Sequence, residues 1–200
     1  MSEEVALRLD KLGLKGKAFF KMQELMRNLG NKYVTNYYTR PMTTFAKEHF
    51  GDKSLVAVEI GSFKGFNAKN ICENLNIKRL YCIDPYTVYV DQIERDRTDY
   101  YEKAQKFLSK YPVTFVRKYS SDAVDDVPDN IDYCYIDGNH EYEFCKKDIE
   151  LYYPKMTKGG IIGGHDFNGS FIGVVKSVLE FAEKEGLELH TNLTDWWVIV

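Results

Sequence analysis

Cysteine is scarce in this chain, with 4 in 200 residues, and the four are scattered. Cys72, Cys82, Cys134 and Cys145 form no CxxC pair and no dense disulfide framework. Cys82 and Cys134 sit inside apolar runs and read as small core residues. A reduced, cytoplasmic setting is the natural expectation. A basic surplus is also missing: the formal net charge is −3, which argues against a nucleic-acid partner. No apolar run approaches the ~20 residues of a membrane helix, so no membrane partner is expected. The opening MSEEVALRLDKLGLKG has no basic start followed by an apolar stretch, unlike a secretion leader. Internal repeats and low-complexity tracts are absent too.

What is present suits one domain with one sizeable core. The hydrophobic share is 44% and the charged share 28%, both ordinary for a soluble globular protein. Tyrosine is abundant, at 15 residues. Its aromatic area suits packing as readily as ligand stacking.

Residues 1–50 read as a helical N-terminal extension and residues 51–200 as the main domain. In the extension, Phe19, Met22, Leu25, Met26 and Leu29 fall at helical spacing. Thr43 could cap a second helix that Gly51 ends. From Leu55 the pattern alternates. Strands are expected at Leu55–Ile60, Arg79–Ile83, Val113–Lys118, Ile131–Ile136 and Gly160–Gly164. Helices are expected at Phe66–Leu75, Asp99–Tyr111, Glu141–Tyr153 and Phe171–Glu185, with a short helical turn at Ser121–Val127. Residues 86–98 read as a loop or lid, and Tyr86, Tyr89, Tyr100 and Tyr101 could line it. Leu187–Thr191 and Trp196–Val200 are two last strands with only a short turn between them. Alternating strands and helices imply a mostly parallel, three-layer α/β sandwich. The helix-free final pair must be antiparallel somewhere.

The candidate chemistry lies at strand ends, where open α/β folds place it. Glu59, Gly61, Ser62 and Gly65 occupy the first strand-to-helix junction. Gly61 and Gly65 would let the backbone approach a ligand closely. Phe63 and Phe66 stand where the dinucleotide fingerprint needs glycine, so a pyrophosphate cradle is not expected. Glu59 would repel a diphosphate and favour a ligand with ammonium or sulfonium character, such as S-adenosylmethionine. Lys64 could meet a ligand carboxylate or simply stay solvated. Asp84 ends the second strand, where a carboxylate can accept ribose hydroxyls; an Asp-Pro turn is the alternative. Ser121 and Asp122 follow the third strand and either meet an adenine edge or cap the short helix.

The segments Asp137-Gly-Asn-His140 and Gly163-Gly-His165-Asp166 end the fourth and fifth strands. Asp137 and Asp166 could share a cation, or each could cap a turn. His140, with an unperturbed pKa of ~6.5, could take a proton near neutral pH or pin its own loop. His49 and His190 lack acidic partners in the pattern and read as structural.

Together, EIGSFKG at 59–65, Asp84, Ser121-Asp122 and the terminal NLTDWWVIV resemble the class I S-adenosylmethionine-dependent methyltransferases over residues 50–200. DGNHEY at 137–142 with KGGIIGGHDF at 158–167 resembles a branch holding macrocin- and mycinamicin-type O-methyltransferases and cephalosporin hydroxylase-like proteins. The resemblance implies a Rossmann-like seven-strand sheet in the order 3-2-1-4-5-7-6 with the last strand antiparallel. It implies S-adenosylmethionine held by the strand-1 and strand-2 residues and Asp137. It also implies a divalent metal on Asp137 and Asp166 and a base at His140. His165 departs from the branch, standing where an acid is usual; as a ligand it suits Mn²⁺, Fe²⁺ or Zn²⁺ better than Mg²⁺.

The expected activity is methyl transfer to a hydroxyl of a small, sugar- or phenol-like molecule, with a homo-oligomer left open. Two rivals use the same residues. One is a nucleotide-dependent oxidoreductase or hydroxylase on this fold; the other is a non-catalytic nucleoside-binding module.

Overall fold

The computed structural model describes residues 39–87 and 99–200. The expected helix around Phe19–Leu29, most of the 86–98 loop and Tyr89 lie outside the described residues. Seven strands form one sheet: β1 Leu55–Ile60, β2 Ile77–Ile83, β3 Val113–Val116, β4 Ile131–Ile136, β5 Met156–Gly164, β6 His190–Asn192 and β7 Asp195–Ile199. The helices are α1 Pro41–Phe50, α2 Phe66–Asn74, α3 Tyr100–Phe107, α4 Tyr142–Tyr152 and α5 Ile172–Glu185. Two short 3-10 turns, Ser120–Asp122 and Val124–Asp126, stand where one helical turn was expected.

The sheet order is β3-β2-β1-β4-β5-β7-β6, as the resemblance implied. Only β7 runs against the rest, pairing antiparallel with both β5 and β6. β4 is buried at all six positions, and its alternation divides the core. Cys134 and Ile136 face a layer built with Cys145 and Ile149 of α4 and Val175 and Val178 of α5. Tyr133 and Tyr135 face the other layer, with Met42 and Ala46 of α1, Ala68 and Ile71 of α2, and Leu108. Each large side chain so buried contributes about 1.5–3 kcal/mol.

α1 begins two residues before the expected cap, because Pro41 takes the first helical turn, where its missing N–H costs nothing. Thr43 is therefore not a cap. It is fully buried, and its hydroxyl lies 2.9 Å from the Tyr133 hydroxyl. Gly51 does end the helix, at φ +55°. The described part of the N-terminal extension thus packs into the sheet. Among the described residues, no helix is long and apolar enough to cross a membrane.

Candidate active site

The strand ends lie side by side, and backbone hydrogen bonds carry the ladder one residue past each. Gly61 N–H donates to Ile83 O at 2.8 Å, Asp137 N–H to Ile60 O at 2.8 Å, and His165 N–H to Ile136 O at 3.1 Å. The Gly61 loop consequently rests on the Asp137 loop. A Cβ on Gly61, whose φ is +88°, would sit 2.0 Å from the Asp137 carbonyl oxygen. The glycine expected to admit a ligand is thus required first by the neighbouring backbone. Gly65 (φ +82°) is likewise pressed by Leu108, with 2.7 Å left for a Cβ.

Glu59 does not face the cleft. It is 1% exposed, beneath the glycine loop, with the Cys82 thiol 3.8 Å from Oε2. Burial pushes its carboxyl up to about 7, against the nearby Ser62 and Asn67 dipoles. The Ser62 hydroxyl and both amide atoms of Asn67 are buried beside it with no hydrogen-bond partner among the described residues. Asp84, 2% exposed, accepts Phe63 N–H at 2.9 Å and Tyr86 N–H at 2.7 Å. It therefore clamps the glycine loop, which leaves Phe63 and Tyr86 with left-handed backbones at φ 47° and 53°. The Lys64 ammonium lies over the Phe63 and Tyr100 rings, at 5.2 and 4.6 Å. α2 has Gly65 as its N-cap, so no cap side chain takes up its first N–H groups. Asp122 is exposed and holds the Ser121 hydroxyl at 3.3 Å, whereas Ser120 turns inward.

Beyond β4 and β5 the acids and imidazoles converge. His140 Nε2 lies 2.9 Å from Asp166 Oδ2, and the ring packs on Phe171 with centroids 4.3 Å apart. His165 Nδ1 lies 3.2 Å from Asp166 Oδ1 and 3.8 Å from Asp137 Oδ1, while its Nε2 meets the Thr194 hydroxyl at 2.6 Å. Asp166 holds a left-handed backbone, φ 60°, which aims its carboxylate between the two rings. Burial would raise the Asp166 carboxyl, but the hydrogen bonds from His140 and His165 outweigh it and hold the group well below the carboxylate range. Burial and the Asp166 charge push Asp137 up, against His165 and Arg40. His165 is driven up by Asp166 and Asp137 in spite of its burial.

Ligand atoms of Asp137, His140 and Asp166 come within 4.8 Å of one another, a set that could hold a divalent ion. His165, named as a ligand from its position, is not in this set; its Nδ1 meets Asp166 and its Nε2 meets Thr194.

Arg40 and Asp195 were missed. The Arg40 guanidinium sits among Tyr135, Asp137, Asp195 and Asp166, whose charges raise its pKa although burial alone would lower it. Asp195 is fully buried, accepting Met42 N–H at 3.1 Å and the Tyr135 hydroxyl at 2.9 Å. Arg40 belongs to the extension and Asp195 read as a turn residue, so no local pattern tied either to the site. His49 and His190 are structural, as expected: His49 Nε2 meets Gly159 O at 2.9 Å, and His190 stacks on Trp197 with centroids 5.8 Å apart.

A small cleft of about 30 Å³ lies against these loops, between Gly61 and Gly138 and in front of Ile83 and Pro85. It occupies the point where the strand order turns back, between β1 and β4.

Comparison with known proteins agrees with this geometry. The chain is 29% identical over 162 residues to the uncharacterized protein R132 of Acanthamoeba polyphaga mimivirus, a match covering 76% of this chain. It spans 62% of that relative's length. Among solved structures, the calicheamicin methyltransferase CalS11 superposes with a TM-score of 0.64 at 12% identity, covering 94% of this chain and 93% of that one. The putative methyltransferase SMU.1697c of Streptococcus mutans, in complex with SAH, gives 0.57 at 14% identity, covering 80% and 97%. A family profile described as methyltransferase domain matches residues 58–167. The chain therefore belongs to the methyltransferase-domain family.

Proposed function

We propose that this protein transfers a methyl group from S-adenosylmethionine to a hydroxyl of a small molecule, with His140 as the base. The observation that carries the reading is the His140–Asp166 pair, 2.9 Å apart, beyond the ends of β4 and β5. CalS11, described as a TDP-rhamnose 3'-O-methyltransferase, and NovP, an O-methyltransferase, share the fold and support oxygen as the acceptor atom.

The residues present fit the cofactor. The uncapped start of α2 offers N–H groups to a carboxylate, and the orphaned Ser62 and Asn67 supply polar atoms under the loop. Asp84 lies beside the position a ribose would take, with both oxygens already fixing the loop. When bound, S-adenosylmethionine supplies an electrophilic methyl group on a sulfonium sulfur.

Asp166 accepts the Nε2 proton of His140, which fixes the ring's tautomer and orientation. Paired in this way, the His140 imidazole is placed to take the acceptor's hydroxyl proton. This chain's own part is to hold the acceptor in line with the sulfonium methyl group and to take its proton. Asp137 and Arg40 line the acceptor side, where they orient the hydroxyl.

The Asp137–His140–Asp166 set supports a second reading. A divalent ion held there would polarise the acceptor hydroxyl and withdraw His140 from base duty.

The test is methyl transfer from labelled S-adenosylmethionine to a panel of sugars and phenols, with and without chelator. Transfer that survives chelation and is lost in His140→Gln is expected. Transfer abolished by chelation and restored by Mg²⁺ or Mn²⁺ assigns His140 to the ion instead. Binding of NAD but not S-adenosylhomocysteine would sink the reading.

A further inference from the structure

The acceptor side carries a cation whose hydrogen bonds are not spent. Arg40 is the N-cap of α1, with φ −57° and ψ 140°, and its backbone is tied on both sides. Its N–H donates to Asn70 Oδ1 of α2 at 3.4 Å, and its carbonyl accepts the Thr44 N–H at 2.9 Å and the Thr44 hydroxyl at 3.2 Å. Pro41 stiffens the next position, and the Met42 N–H after it is held by Asp195 Oδ2. These ties fix where the half-buried Arg40 side chain leaves the chain, beside the start of β7. Burial alone would lower its pKa, yet Tyr135, Asp137, Asp195 and Asp166 hold it charged.

The three acids are met by other donors. Asp195 takes the Met42 N–H and the Tyr135 hydroxyl. Asp166 takes His140 and His165, and His165 also lies 3.8 Å from Asp137. Among the described residues, no carboxylate forms an ion pair with Arg40. The acids therefore keep the guanidinium charged without closing its fork. That fork presents planar N–H donors spaced to meet two oxygens of a carboxylate or a phosphate at once. A partly buried cation with an unmatched fork is costly, and an anionic ligand relieves the cost.

We infer that the methyl acceptor carries an anionic group, a carboxylate or a phosphate, and that Arg40 grips it through two parallel N–H···O bonds while the acceptor's hydroxyl turns to His140. The inference rests on the methyl-transfer reading above and names the second functional group of its acceptor. Gripping the anionic end is how Arg40 orients the hydroxyl end. A neutral sugar or phenol leaves the fork unmatched and binds weakly. The compounds this site takes are therefore bifunctional, with hydroxyl and anion on one small skeleton.

Calorimetry on the full chain saturated with S-adenosylhomocysteine tests this with two matched pairs: 4-hydroxybenzoate against 4-hydroxybenzamide, and glucose 6-phosphate against glucose. In at least one pair the anionic member should bind at least about ten-fold more tightly, and the pair that responds tells carboxylate from phosphate. Arg40→Gln should bring the preference below about three-fold and leave the affinity for S-adenosylhomocysteine unchanged. Arg40→Lys keeps the charge but loses the fork, so the preference should fall at least about three-fold. Lys110→Gln should keep it, since Lys110 precedes β3 at the opposite end of the strands and lies over the Tyr111 ring. No anion preference in either pair, one that persists in Arg40→Gln, or one lost equally in Lys110→Gln overturns the inference. Should Arg40→Gln fail to fold, Arg40→Lys decides: an undiminished preference there overturns it. If S-adenosylhomocysteine itself does not bind, the S-adenosylmethionine reading fails and this inference with it. Binding of S-adenosylhomocysteine without anion preference fails only the inference.

Discussion

Asp166 is the residue on which the acid–imidazole cluster turns. One carboxylate receives two imidazoles, and its left-handed backbone sends one oxygen to each. The two histidines then diverge in role. His165 meets Asp166 and Thr194 through its two nitrogens, while His140 meets Asp166 through Nε2 and packs on Phe171. Replacing His140 with Gln should lower kcat by about 10²–10⁴-fold and leave S-adenosylhomocysteine affinity unchanged, as read by steady-state kinetics and calorimetry. Asp137 and Asp166 were legible in the sequence because they stand just past the ends of β4 and β5, and His140 because it shares the loop that Asp137 opens. The orientation of His165 was not legible, since it is set by Thr194, 29 residues away.

Glu59 is a pH-dependent element of the same loop. Its folded pKa, about 7, lies above the unfolded value near 4.5. Its contribution is therefore most favourable below pH ~4.5 and is lost as pH rises through ~7, on the order of 3 kcal/mol. Glu59→Gln keeps the neutral shape. Its melting temperature should gain on the wild type steadily between pH 5 and pH 8; a falling difference would show a satisfied carboxylate.

At the level of elements, α1 and the β6–β7 hairpin do unexpected work. Asp195, the first residue of β7, accepts an N–H from the first turn of α1 and the hydroxyl of Tyr135 in β4. One carboxylate thereby joins three elements. Asp195→Ala strands two buried donors, so urea unfolding should show a loss of about 2–5 kcal/mol. The same junction delivers Arg40 to the acids. Periodicity gave every described strand and helix within a few residues, because burial on one or both faces imprints itself locally. Ends slipped where a backbone rule outranked the pattern, as Pro41 did at α1. The junction itself depends on contacts across 153 residues of chain, which no local pattern carries.

The sheet order of the whole molecule followed from resemblance rather than from spacing, since alternation fixes layers but not neighbours. The main domain was expected to start at residue 51. A chain cut there would lose Met42, Thr43 and Ala46 from the core, part the Tyr133 hydroxyl from Thr43 and take the Met42 N–H from Asp195 Oδ2. It should melt at least about 10 °C lower than the full chain, or fail to fold, in a calorimetric scan. Ligand should act in the opposite direction. S-adenosylhomocysteine at a hundred times its Kd should stabilise the full chain by about 2.7 kcal/mol, a rise of roughly 5–10 °C.

The 2.0 Å clearance at Gly61 bears on how such a protein can change its chemistry. Cofactor loop and acid loop are in backbone contact, so neither can gain bulk without displacing the other. New acceptors must then be accommodated by parts that only lean over this shelf. Arg40 shows that the segment preceding the sheet already reaches it, which makes that segment the most permissive place for specificity to diverge.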